Sequence, residues 1–157
     1  MTYSLLLWLH LIGATILLGT GAGIAFFMVM AHRSREPALI AHVAGTVVVA
    51  DFLFTATAVV AQPVTGALLM AQQGWALSTP WIAAALGLYV VTGLFWIPVV
   101  IIQIRMRDLA RSAAATAAPL PTAYHRLYRL WFACGFPAFF AVLAILWLMT
   151  AKPDIAL

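Results

Sequence analysis

Charge is scarce in this chain: Asp, Glu, Lys and Arg make up 8% of its 157 residues, against about 25% in a typical soluble domain. So few charges cannot build a water-facing shell, which excludes an ordinary soluble globule. The single cysteine, Cys134, lies in an apolar stretch and excludes a disulfide framework or a cysteine-based metal centre. No Gly-rich phosphate loop follows a strand, no Ser-His-Asp set stands in a soluble fold, and no metal ligands cluster, so nucleotide and hydrolase chemistry fall away. The first Lys or Arg is Arg33, so the basic start of a signal peptide is missing and the first apolar stretch is read as mature protein.

What the chain has instead is apolar length. Hydrophobic residues make up 66% of it, in four runs of the roughly 20 residues that cross a bilayer as a helix. The runs cover about residues 5–31, 38–61 with an extension to 70, 81–104, and 128–150. The expected fold is all-α, one integral membrane four-helix bundle over residues 1–157, with lipid as its solvent. Arg33 to Pro37, Gln72 to Pro80, and an Ala/Pro-rich stretch ending at Pro119-Leu120-Pro121 interrupt the runs, the last expected as a flexible loop. Pro63, Pro98 and Pro137 fall inside apolar runs, where each frees a carbonyl and kinks a helix. Gly19 and Gly23 form a Gly-x-x-x-Gly step, expected to seat a neighbouring helix.

The net charge of +4 forms no free-standing patch, so no nucleic-acid partner is expected. Arg33, Arg35, Arg105, Arg107, Arg111, Arg126 and Arg129 border one end of the spans and only Lys152 the other. An excess of basic residues marks the cytoplasmic side, which places both termini on the non-cytoplasmic side of a plasma membrane, the inner membrane if the cell is bacterial. Trp8, Trp75, Trp81 and Trp147 near one interface and Tyr124, Tyr128 and Trp131 near the other make two aromatic belts in the same register.

On a 3.6-residue period His10 shares a face with Gly13, Ala14, Leu17 and Gly21. An imidazole above a smooth strip of small residues suits an axial ligand beside a flat macrocycle such as haem, and equally a histidine bonded to a neighbouring helix. Asp51 stands near the middle of the second run, where a carboxylate costs on the order of 2.5–3.5 kcal/mol on insertion scales. It must face the protein interior, and Thr55, Ala58 and Gln62 continue its face as a polar stripe towards the outer leaflet. Such a stripe could serve a proton path, a quinone headgroup or a porphyrin edge, or only packing.

His32, His42 and His125 belong near the basic end, each with an ordinary interfacial explanation. His42 lies about 25 Å from His10 along the bundle at 1.5 Å per residue, so the two cannot share an iron. His42 with His125 is a geometrically allowed inner pair. Arg126 and Arg129, one turn apart, suit propionates or anionic lipid headgroups.

Short motifs carry a resemblance over nearly the whole length. They are Trp8-Leu9-His10 opening the first run, His32 closing it, Gln62-Pro63-Val64-Thr65-Gly66-Ala67-Leu68-Leu69 in the second, and Tyr128-Arg129, Pro137 and Lys152-Pro153 in the fourth. The chain resembles the HemJ-type protoporphyrinogen oxidases, four-helix membrane proteins that bind haem b, and more closely the small membrane proteins of domain-of-unknown-function family 2269. The resemblance implies haem b, with His10 as the iron ligand. The HemJ pattern has a Pro-Arg pair where this chain has Phe26-Phe27, an Asn-Glu pair where it has Cys134-Gly135, and a third-helix lysine that is missing here. Those polar groups would serve an oxidase, so the resemblance does not carry the oxidase activity over.

The expected function is a haem-b-binding membrane redox protein, cytochrome b-like in character, with Asp51, Thr55 and Gln62 serving the cofactor or a proton path. The expected contacts are lipid together with a membrane redox partner, a quinone or a larger complex, and a homo-oligomer is compatible. Two alternatives stand beside it: a cofactor-free accessory or assembly subunit of a larger membrane complex, and a small proton or ion transporter built on Asp51.

Overall fold

The computed structural model describes residues 2–154. Four helices are long and apolar enough to cross a membrane: Tyr3–Ser34, Pro37–Gln73, Pro80–Ala115 and Thr122–Ala151. Among the described residues there is no strand, as lipid demands of a chain that must satisfy its backbone internally.

The ends follow from local chemistry. Arg35 takes a left-handed conformation to close the first helix, and Pro37 opens the second at a position where its missing N–H costs nothing. Gly74, with φ of 68°, closes the second helix as only glycine does without strain. Pro80 opens the third and Pro121 precedes the fourth.

The third helix runs two to three turns beyond the expected end near Ile104, so most of the expected flexible loop is helical. Arg105 to Ala115 consists almost wholly of good helix formers, and Met106, Ala110 and Ala113 bury one face against the bundle.

The second helix contains a single wide turn at Asp51–Thr55, where the N–H of Ala56 reaches back to the carbonyl of Asp51. That five-residue step is a π-bulge, a local loosening that recurs at functional positions.

The bundle packs as a chain of neighbours, first on second, second on third, third on fourth, with the first and fourth touching only sparingly. The larger buried cluster lies at the basic end, centred on Met28, Ile40, Met106 and Tyr124. A smaller one, Trp81, Ile82, Ala85 and Leu148, closes the other end, where the Lys152 ammonium sits 4.5 Å from the Trp75 ring centroid. Large apolar side chains such as Phe26, Phe27, Val60, Leu94 and Phe140 point outward, which is the arrangement lipid permits and water does not.

Gly19 and Gly23 seat no helix: a Cβ built on either meets nothing within 4 Å.

Pro63 leaves the Val59 carbonyl without its intrahelical donor, and the Tyr89 hydroxyl of the third helix donates to that carbonyl. Tyr89→Phe should therefore destabilise the bundle by about 1–3 kcal/mol. The same change in a Pro63→Ala background should cost far less, because an amide donor is restored. Denaturant titrations of the four proteins in mixed micelles measure the coupling, and additive effects would refute it.

Candidate functional site

Between the two packed clusters lies a cavity of about 450 Å³ lined by all four helices. The first helix contributes small residues, Ala14, Gly21, Ala22 and Ala25, while the fourth contributes Phe132, Phe136 and Phe139. These lining residues are intermediate in exposure or exposed, so the seam between the sparsely touching first and fourth helices opens the cavity sideways towards lipid.

The wall is apolar almost throughout. Its main polar feature is a connected group around Asp51, which the bundle buries to 4% exposure. The Trp96 indole N–H donates to Asp51 Oδ1 at 3.5 Å. With the Gln103 amide oriented to satisfy both neighbours, its nitrogen donates to Asp51 Oδ2 at 2.6 Å and its oxygen accepts from Trp131 Nε1 at 3.2 Å. Second, third and fourth helices are thereby tied through one carboxyl. No Lys or Arg pairs with it among the described residues, so these hydrogen bonds carry the whole burden of holding a carboxyl in an apolar interior.

Thr55, at the far side of the wide turn, is also buried, and its Oγ1 makes no hydrogen bond of ordinary geometry among the described residues. Thr55 and Asp51 both line the cavity. The Thr55 oxygen has no accessible surface of its own, so it lies behind the wall, next to the Asp51 carboxyl, and not in the open space.

Further out, Gln62 lines the same cavity, and its amide donates to the backbone carbonyl of His10 at 2.8 Å. Its amide nitrogen also lies 2.5 Å from where a Cβ on Gly13 would sit, so only glycine admits this approach. His10 itself is not in the cavity wall. Its Nδ1 lies 2.8 Å from Thr65 Oγ1, and its Cε1 packs beside Gly66. The Thr65 hydroxyl is already directed at the Ala61 carbonyl, 2.8 Å away. It therefore accepts from His10 Nδ1–H, which in the neutral ring leaves Nε2 with its lone pair and no hydrogen bond among the described residues.

Of the residues singled out in the sequence, Ala14, Leu17, Gly21, Asp51, Thr55 and Gln62 meet around one cavity. His10 and Gly13 sit just outside it, in the contact between the first and second helices. His42 and His125 have different neighbours. His42 lies in a groove with Arg107 and Arg111, whereas His125 packs edge-on to His32 at 5.9 Å between centroids. His32 stacks on Tyr128 at 3.5 Å and closes the basic end between the first and fourth helices. No group of three or more His, Cys, Asp or Glu suited to a metal ion occurs among the described residues.

Sequence reasoning missed Trp96, Gln103 and Trp131 as partners of Asp51. Gln103 carried a signal, as an amide inside an otherwise apolar run. Removing it with Gln103→Leu should cost about 1–3 kcal/mol, since Asp51 Oδ2 and the Trp131 indole both lose their partner. Gln103→Asn, with a shorter reach, should recover only part of this. Unfolding in mixed micelles reads both, and a neutral Gln103→Leu would show that the connection does not hold the helices.

No curated protein and no solved structure matches the chain. A family model described as predicted integral membrane protein, DUF2269, matches residues 4–153. With four apolar helices of spanning length and a match over nearly all of its length, the chain belongs to the DUF2269 family of integral membrane proteins.

Proposed function

We propose that this protein binds, within the bilayer, a flat and largely apolar molecule that carries a small hydrogen-bonding head, the chemistry of a quinone. The observation that carries this reading is an apolar cavity within the bundle whose wall holds one buried carboxyl, Asp51, with the Thr55 hydroxyl next to it. A hydroxyl head would donate to Asp51, a carbonyl head would accept from Thr55 once that side chain turns towards the space, and a quinone presents one or the other according to its redox state. The aromatic lining, Trp96, Trp131, Phe132 and Phe136 among it, suits a ring by offset or edge contacts. The lateral seam offers entry from lipid without passage through water. In this reading the arginine-rich end faces the cytoplasm of a plasma membrane, in accord with the distribution of basic residues.

A second reading, haem b, is favoured by one specific observation. The Thr65 contact fixes the His10 tautomer in the way an iron ligand requires, with Nε2 free. His10 would hold the iron and the small residues of the first helix would border the macrocycle; the iron would supply one-electron redox chemistry. The position of His10 outside the cavity wall favours the first reading over this one.

Two measurements separate them. A soluble short-chain quinone should quench the fluorescence of Trp96 and Trp131 saturably. Gly135 lines the cavity, and a Cβ there meets nothing within 4 Å, so Gly135→Leu should fill the space, abolish saturable quenching and leave stability nearly unchanged. Equal quenching in both proteins would overturn the quinone reading. Protein produced with ample haem should show no Soret band if that reading holds, and a Soret band lost in His10→Ala would establish haem instead.

A further inference from the structure

The second and third helices form a separate groove of about 490 Å³ at the basic end, lined by His42, Gly45, Thr46, Val49, Arg107 and Arg111 together with Ala41. It lies on the outer surface of the bundle and shares no lining residue with the cavity around Asp51.

The two arginines differ in their commitments. Arg107 is oriented by its neighbour Asp108, with Nη2 and Nε each 2.9 Å from Oδ1. Arg111 makes no ion pair or hydrogen bond with any side chain among the described residues. Its Nη2 lies 3.3 Å from the point a Cβ on Gly45 would occupy, so the guanidinium rests against the second helix where that helix has no side chain. Asp108 is not part of the groove wall, which is therefore free of carboxylates. The Thr46 hydroxyl donates to the His42 carbonyl at 3.2 Å, so an uncommitted guanidinium, a second one at its side and an imidazole make the oxyanion site, and the fork geometry of arginine suits phosphate.

The floor of the groove adds a second feature. Val49 lines it on the side nearer the middle of the helix, and Phe52 and Leu53 continue outward-facing from there, all of them more than half exposed. A phosphate bound between the arginines thus has an apolar track running from it along the span, as a headgroup and its acyl chain require.

We infer that this groove is a binding site for a phosphate headgroup, held by Arg111 and Arg107 with His42 beside them. The shared chemistry is a phosphate ester, and its source is either a membrane phospholipid or a soluble phosphate.

Native mass spectrometry of the full chain, released from detergent in the presence of phosphatidylglycerol, phosphatidylcholine or glycerol phosphate, tests this. Phosphatidylglycerol should stay bound well after phosphatidylcholine is lost. Arg111→Ala should weaken it about fivefold, the effect of roughly one interfacial charge, whereas Arg35→Ala, removing the same charge elsewhere at that end, should not. Gly45→Leu displaces the guanidinium without changing net charge and should weaken binding as well. Retention of glycerol phosphate alone, lost in Arg111→Ala, would support the site with a soluble ligand. Equal retention of both lipids, or equal effects of Arg111→Ala and Arg35→Ala with none from Gly45→Leu, would overturn it.

Discussion

A carboxyl buried among transmembrane helices must find hydrogen-bond donors inside the protein, and Asp51 sets that requirement for the whole bundle. Trp96 and Gln103 of the third helix answer it directly, and Trp131 of the fourth answers it through Gln103. The helices that supply these donors are neighbours in the bundle, second on third and third on fourth. The first helix stands apart from this set of bonds and attaches to the second through the basic-end cluster and, towards the other end, through His10, Gly13 and Gln62. The bundle is therefore tied on one side and loose on the other, and the loose side is where the cavity opens.

The wide turn at Asp51–Thr55 belongs to the same constraint. Asp51 and Thr55 stand at its two ends, and both line the cavity. Other polar groups inside the bundle find partners: the carbonyl freed by Pro63 is taken by Tyr89, and Thr65 accepts from His10 Nδ1–H. A buried hydroxyl without such a partner, next to a buried carboxyl at the wall of a cavity, marks a place to look for a site.

The spans were legible from hydropathy because lipid imposes length and apolarity on every crossing segment. The burial of Asp51 with Thr55, Ala58 and Gln62 was legible because helical periodicity leaves a costly carboxyl only one face to turn inward. The end of the third helix was not, because Arg105 to Ala115 is polar at intervals and hydropathy says nothing about helicity beyond the membrane. The wide turn carries no composition signal, and the pairing of Asp51 with Gln103 depends on which helices are neighbours, information that one sequence does not hold. His10 shows the same limit: spacing identified a smooth face beneath it, while the direction of its ring follows from Thr65 and Gly66 on another helix.

An amphipathic ligand held beside Asp51 and Thr55 should travel with the protein through purification. Organic extraction of protein purified in a mild detergent, followed by mass spectrometry of the lipophilic fraction, reads this. An apolar molecule with a carbonyl or hydroxyl head should be recovered in near-stoichiometric amount from the wild type and be depleted in Gly135→Leu. Extracts that contain the same compounds in the same amounts from both proteins would contradict it.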